Sequence, residues 1–156
     1  LSGLKFNMEI VGLTDKLSGS IVEQYTQTCR ATLGDERCQF NVASIAVAGT
    51  VESVSADGTV IFDSSRAEAA SWFAFGKVTF TSGAAAGFSR EVIGSNTGMF
   101  VLVQQTPKPV APGDTYTLEP GCNRRKATCR SKFSNVINFR GEPFVPDPTQ
   151  TFRPVS

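Results

Sequence analysis

Apolar and polar residues alternate in short runs along much of the chain, and this alternation predicts β-strands. Residues 4–10 (LKFNMEI) alternate without a break, which is the pattern of a half-buried strand. Similar runs recur between residues 40 and 118, separated by turn residues such as Ala-Asp-Gly at 56–58. The predicted strands of this region are residues 59–62, 77–81, 89–93, 99–104 and 115–118, after a longer run of apolar and small residues at 41–55. Short strands at this spacing are typical of a small barrel or sandwich.

Two segments show a helical pattern instead. Residues 66–73 are rich in alanine and follow Ser64 and Ser65, either of which is a suitable N-cap, so this segment is the best helix candidate. Apolar residues also recur every four positions at 13–25, which allows a short helix, although nearby glycines equally allow an irregular segment. The aromatic residues close to the first candidate are expected to fill the core, with an exposed contact patch as the alternative; they are Trp72, Phe73 and Phe75.

Four cysteines form two pairs, Cys29 with Cys38 and Cys122 with Cys129, and the chain contains no histidine. Without an imidazole, Ser-His-Asp and Cys-His catalysis cannot be built within this chain. The thiols suit three arrangements: disulfides, for which three pairings exist, a four-thiolate zinc site, or an iron–sulfur cluster. Paired zinc ligands usually have about two to four residues between them. The eight and six residues found here fit zinc poorly.

Basic residues concentrate around the cysteines. Residues 28–39 and 121–132 contain seven of the fifteen Lys and Arg residues: Arg30, Arg37, Arg124, Arg125, Lys126, Arg130 and Lys132. Cations and backbone N–H groups stabilise an anionic centre bound by thiolates, whereas a disulfide is neutral. The charge pattern therefore favours a bound metal but does not identify the metal. Two alternative interpretations of the basic residues remain: solvated charges on loops, or a patch that binds phosphate.

The chain is long enough for one domain, residues 1–156, with a barrel core at about 40–118 and cysteine loops at 25–39 and 121–141. The expected fold class is mainly β: a small barrel or sandwich with a short helix, flanked by the two cysteine loops and an extended, proline-punctuated C-terminal arm. The chain starts at Leu1 and opens directly into a strand pattern, so we expect a C-terminal fragment of a longer protein. Net charge is +1, so direct nucleic-acid binding is not expected, and no run approaches the ~20 apolar residues of a membrane span.

The cysteine segments resemble a known family. Residues 25–38 read YTQTCRATLGDERC and residues 121–141 read GCNRRKATCRSKFSNVINFRG, with further likeness at 76–86 (GKVTFTSGAAA) and 111–114 (APGD). Together they resemble the C-terminal half of baseplate hub proteins from siphophage-like tails and gene transfer agents, with the family's N-terminal half absent. Lambda-like tail-tip proteins are more distantly similar. The resemblance implies that the four cysteines, Cys29, Cys38, Cys122 and Cys129, bind a [4Fe–4S] cluster, with zinc as the alternative.

The same resemblance implies a structural, non-enzymatic protein at the tail tip of a virion or gene transfer agent, assembled in the host cytoplasm and serving DNA delivery. Its implied partners are copies of itself in a ring, three by family resemblance, the distal tail protein and a central spike or peptidase-bearing protein. The iron–sulfur cluster would act as a structural staple.

Two other classes of protein remain as alternatives. One is a zinc- or disulfide-stabilised binding module, and the other is a cell-wall-directed or redox enzyme subunit. Glycoside hydrolysis needs two carboxylates, for which Asp57, Asp63, Asp114 and Glu119 are the candidates. Each of these lies at a predicted turn or strand end, where carboxylates are common for backbone reasons.

Overall fold

The computed structural model describes residues 25–144. The strand predicted at 4–10, nearly all of the helix candidate at 13–25 and the distal part of the C-terminal arm lie outside this range. The described part contains seven strands, β1 (Val47–Thr50), β2 (Ser53–Val54), β3 (Val60–Phe62), β4 (Gly76–Phe80), β5 (Ser89–Asn96), β6 (Met99–Leu102) and β7 (Thr115–Glu119), and one α-helix, α1 (Lys126–Ser131). Short 3-10 helices occupy Val42–Ile45 and Val136–Asn138. The predicted mainly β class is confirmed.

The strands form one antiparallel sheet in the order β1-β7-β4-β5-β6-β3-β2. The two outermost strands, β1 and β2, are separated by only Val51 and Glu52. Val51 N–H donates to Asp114 O at 2.8 Å, on the β7 side, and Glu52 N–H donates to Phe62 O at 2.8 Å, on the β3 side. Because one short stretch of chain bonds to both sides, the sheet curls into a barrel-like body.

Alternate side chains of the strands point into this body. In β4, Val78 and Phe80 are fully buried while Lys77 is exposed, as the alternating sequence predicts. Phe100 and Tyr116 meet edge to face, with ring centroids 5.1 Å apart. The core consists of Val51, Ile61, Phe73, Val78, Phe80, Ala85, Val92, Phe100, Leu102, Tyr116 and Leu118.

The predicted helix at 66–73 is wrong: the structure has an extended stretch followed by turns. The backbone N–H groups that a helix would use are bonded to β5 instead, because Ser71 N donates to Ser95 O and Phe73 N to Ser95 Oγ. Ser71 and Phe75 also have positive φ angles, 62° and 63°, which interrupt any helix. Pairing with the sheet therefore outweighs the modest helix preference of alanine.

The aromatic residues of this turn segment divide between core and surface. Phe73 is buried and Trp72 packs against the core, as expected. Phe75 is 60% exposed, so for this residue the expectation of core filling is wrong. The short helix of the fold lies instead at α1, inside the segment predicted as the second cysteine loop. No helix within residues 25–144 is long and apolar enough to cross a membrane.

Candidate metal centre

All four cysteines line one small enclosed cavity at the end of the barrel. Cys29 and Cys38 come from the irregular segment before the sheet, Cys122 follows β7, and Cys129 is buried on α1. Apolar and amide side chains complete the lining, among them Leu33, Phe133 and Asn135. Each cysteine is a free thiol, so none of the three disulfide pairings is present.

The Asp35 carboxylate holds the first cysteine segment in a compact turn. It accepts hydrogen bonds from the backbone N–H groups of Cys38 at 2.7 Å, Thr32 at 2.7 Å and Arg37 at 3.0 Å. These bonds, that from Cys38 first, lower the pKa of Asp35 below its ordinary value. The carboxylate thus satisfies three N–H groups that no regular element would satisfy.

The second cysteine segment is anchored to the base of the barrel by Lys132. Its ammonium group donates to the carbonyl oxygens of Trp72 and of Gly121, the latter at 2.8 Å. It also lies over the rings of Trp72 and Phe133, 4.8 and 5.3 Å from their centroids. Burial lowers the pKa of Lys132. Gly121 itself lies where any side chain would collide with the backbone of Phe75.

Backbone hydrogen bonds join the two cysteine segments. Cys29 N donates to Arg124 O at 2.8 Å, and Arg30 N donates to Arg140 O at 3.1 Å. Arg124 has a positive φ of 62°, and its N–H donates to the sulfur of Cys122. The irregular conformation of the two segments therefore brings together cysteine sulfurs from distant parts of the chain.

N–H groups are directed at three of the four sulfur atoms. Cys29 Sγ accepts from Arg140 N at 3.3 Å, Cys122 Sγ from Arg124 N at 3.4 Å, and Cys38 Sγ from Asn135 Nδ2 at 3.5 Å. The fourth thiol, Cys129, donates to Asn135 O at 3.3 Å. Hydrogen bonds of this kind stabilise the negative charge of thiolate ligands and tune iron–sulfur centres.

Two of the thiols, Cys122 and Cys129, lie in surroundings that favour their protonated form in the absence of a metal. Burial raises the pKa of Cys122 and that of Cys129, and the neighbouring cysteines raise both further. Conversely, a metal ion deprotonates a thiol that coordinates it. Within residues 25–144, no group of three or more Cys, Asp or Glu side chains is placed to hold a single metal ion. The sulfurs surround a cavity and do not converge on one point.

The basic residues around the cysteines have different roles in the structure. Arg124 lines the cavity, and the charge of Lys132 acts on Cys122. Arg30 instead forms a bidentate ion pair with Glu142, with N···O distances of 2.5 and 2.9 Å. Of the seven, at least two are therefore placed to offset negative charge in the cavity.

The carboxylates considered for catalysis each have a hydrogen-bond or ion-pair partner. Asp57 accepts from Ser55 and Thr59, which lowers its pKa to about 2. Asp63 accepts from Tyr116 and Ser65, Asp114 accepts from Ala111 N, and Glu119 lies 3.3 Å from Lys77. Each carboxylate is thus engaged in a contact that stabilises the fold.

Sequence reasoning missed two residues that organise the site, Asp35 and Asn135. Neither residue stands out in the sequence by its type or by its spacing. For Asp35 the sequence offers one weak indication, because the pair Gly34-Asp35 inside a cysteine loop suggests an Asx-type turn. No local pattern predicts that Asn135 contacts Cys38, which lies 97 positions away.

The comparisons with known proteins agree on phage-like tails. Residues 71–148, half of the chain, match the family described as phage conserved hypothetical protein BR0599. Residues 1–41 match the N-terminal attachment domain of baseplate hub proteins. Among solved structures, a chain from the virion of a native gene transfer agent particle matches with 32% identity and a TM-score of 0.74, over 92% of this chain and 52% of that one. No curated protein matches the chain.

The fold and these matches define a mainly β protein of phage-like virions. The chain belongs to the family of phage conserved hypothetical protein BR0599, with a baseplate hub attachment sequence at its beginning. The resemblance inferred from the cysteine motifs is confirmed. The chain spans about half the length of its gene transfer agent relative.

Proposed function

We propose that this chain is a non-enzymatic domain of a tail-tip hub, in which Cys29, Cys38, Cys122 and Cys129 hold a [4Fe–4S] cluster as a structural staple. One observation carries the proposal: four free thiols from two distant segments line a single cavity, and N–H groups are directed at three of their sulfurs. Four thiolates are the usual ligands of such a cluster.

The spacing of the cysteines favours a cluster over zinc, because paired zinc ligands usually have about two to four residues between them and these pairs have eight and six. Zinc binds four thiolates at about 2.3 Å, which brings the sulfurs within roughly 4 Å of one another. No such convergence exists in the described residues. In a cluster each thiolate binds a different iron, so the four sulfurs stand farther apart than they do around one zinc ion.

The staple would stabilise the fold by closing a long stretch of chain. Cys38 and Cys122 are 84 positions apart, and the whole barrel lies between them. Loop-closure reasoning gives on the order of 4 kcal/mol for a covalent link that closes ~100 residues. When bound, the cluster would supply that connection through the four thiolates, while the chain supplies the N–H donors and the apolar wall.

At the level of the particle, we propose the assembly implied by the family. The domain joins copies of itself, three to a ring, between the distal tail protein and a central spike or peptidase-bearing protein, and the ring serves DNA delivery. Two matches support this placement: one is with a chain of a gene transfer agent virion, and the other is with a hub attachment domain.

The test is anaerobic purification of the full chain with its metal content measured. We expect a brown protein with broad visible absorption and about four irons per chain. Cys122→Ser should lower iron content and hub assembly together, because it removes a ligand. Ser131→Ala, which changes an exposed hydroxyl on the same helix, α1, should leave both unchanged.

Three results would overturn parts of this proposal. Colourless protein with one zinc per chain would replace the cluster by a zinc site. Protein with neither metal nor free thiols would point to disulfides. Normal assembly of iron-free Cys122→Ser would show that the centre is not a staple.

A further inference from the structure

Asn135 contacts both cysteine segments, and it does so with its side chain and its backbone. Its Nδ2 donates to Cys38 O at 2.6 Å and to Cys38 Sγ at 3.5 Å. Its backbone N donates to Cys129 O at 3.1 Å, and its backbone O accepts from Cys129 Sγ. A single residue therefore contacts the sulfur of Cys38 in the first cysteine segment and the sulfur of Cys129 in the second.

The orientation of the Asn135 amide is fixed by a neighbour. Asn138 Nδ2 donates to Asn135 Oδ1 at 2.8 Å. The carbonyl oxygen of Cys38 can only accept, so the NH2 group of Asn135 must be the end that faces Cys38, and Oδ1 is the end that accepts from Asn138. The amide thus presents two N–H donors to Cys38, one for its carbonyl oxygen and one for its sulfur.

Cys38 is held on both sides of its α-carbon. Asp35 accepts from its N–H at 2.7 Å, and Asn135 donates to its carbonyl oxygen. The next residue, Gln39, has a positive φ of 57° and donates its N–H to Asp35 O at 2.8 Å. With the backbone fixed in this way, the direction of the Cα–Cβ bond of Cys38 is fixed as well.

We propose that Asn135 is the positioning residue of the thiolate centre: it holds the Cys38 sulfur toward the cavity and donates an N–H to that sulfur when it carries negative charge. This inference rests on the proposed function of the four cysteines. Residues of this kind, which orient a ligand without binding the metal, commonly change metal affinity by about 10–100-fold when they are replaced.

The contact of Cys129 with Asn135 O belongs to the metal-free thiol. An S–H donates to this carbonyl, but a thiolate has no proton to donate. A metal bound to Cys129 would take the place of that proton, so the Asn135 carbonyl would lose this bond, whereas the two bonds from the amide to Cys38 involve no thiol proton. In the metal-bound protein, Asn135 would therefore act through its amide side chain.

The test compares Asn135→Asp with the wild-type full chain, both reconstituted with iron and sulfide. The variant keeps the size of the side chain but turns an anionic acceptor toward the sulfur. We expect iron release to a chelator to accelerate by about 10–100-fold. We also expect the reduction potential to become more negative, because reduction adds charge beside a carboxylate. Asn138→Ala, which frees the amide to rotate, should shift both in the same direction by less.

Asn96→Asp is the matched control, because it makes the same chemical change at an exposed residue at the end of β5. It should release iron at the wild-type rate and at the wild-type potential. The melting temperature of the metal-free protein shows whether a variant still folds. If the reduction potential changes in a variant that still folds, the substitution acts on the position of the sulfur and not by a general loosening of the loop.

The outcomes distinguish this inference from the proposed function. A wild-type chain that holds its cluster while Asn135→Asp releases iron at the same rate and potential would overturn the role of Asn135 alone. A wild-type chain that takes up no cluster at all would overturn the proposed function, and the inference with it.

Discussion

A carboxylate sits at the wall of the hydrophobic barrel and stays ionised there. Burial alone would raise the pKa of Asp63, but hydrogen bonds from Ser65 and Tyr116 and the charge of Arg66 outweigh it, so its pKa lies below the ordinary value. Burial first, and then the bond to Asp63, raise the pKa of Tyr116. The absent side chain at Gly49 leaves the room that this pair occupies. The pair ties β7 to the turn after β3.

Tyr116→Phe should destabilise the protein by about 1–3 kcal/mol, because it removes one donor from a buried carboxylate. Urea denaturation, followed by tryptophan fluorescence, measures the change in the free energy of unfolding. The chain has one other tyrosine, Tyr25, which is 77% exposed, and Tyr25→Phe should leave stability unchanged. Equal effects of the two substitutions would show that the Asp63 bond contributes nothing.

At the scale of elements, the cysteine segment and the barrel meet backbone to backbone. A Cβ at Gly121 would collide with the backbone of Phe75 and Gly76, and one at Gly76 would collide with Glu119 O. Only glycine allows the chain leaving β7 to cross so close to the start of β4. This crossing places Cys122 beside the cavity immediately after a strand.

Gly121→Ala should cost about 1–3 kcal/mol of stability, since backbone atoms must shift to make room. Gly94→Ala is the control, because a Cβ at Gly94 meets nothing within 4 Å and its φ angle is not positive. We expect this second substitution to be neutral or slightly stabilising. Thermal unfolding of the metal-free proteins makes the comparison, and an unchanged melting temperature for Gly121→Ala would contradict the proposed crossing.

At the scale of the whole molecule, the segments that enter and leave the described domain are clamped together. Glu142 accepts two bonds from Arg30 and one from Thr26 N, while Glu142 N donates to Thr26 O. Gly141 allows the approach, since a Cβ there would lie 2.7 Å from Thr28 O. The clamp closes the domain on the same side as the cysteines, because Arg140 N donates to Cys29 Sγ.

The clamp predicts a specific loss of stability in acid. Arg30 first, together with Thr26 N–H, lowers the pKa of Glu142 below its ordinary value of 4.5. A carboxyl group whose pKa is lowered by folding contributes stability above its unfolded pKa, and this contribution is lost as the pH falls through the folded pKa. Glu142→Gln should therefore flatten the decline in stability of wild type between about pH 5 and pH 3.

Urea midpoints measured across this range test the clamp. Glu36→Gln changes an exposed glutamate in the first cysteine segment and should keep the wild-type decline. If the stability of Glu142→Gln falls with pH as steeply as that of the wild type, protonation of Glu142 does not cause the loss of stability in this range.

Local sequence patterns predicted most of the sheet. The strands around Val78 and Leu118 alternate so regularly that a one-residue slip would expose the core, and their positions are correct within a few residues. The helix prediction failed at residues 66–73 because local preference there is weak and β5 supplies partners for the backbone. α1 was missed because its six residues are too few to show a periodic pattern.

The sequence by itself determined the mainly β class, the positions of the strands and, through two cysteine motifs, the family. These follow from side-chain alternation and residue identity, which are local properties. Only the tertiary structure decided which N–H groups face the sulfurs, which side chain orients Cys38, and that Asp35 and Lys132 anchor the two segments. These contacts join residues that lie far apart in the sequence and that the curled sheet brings together, and a local sequence pattern carries no information about such contacts.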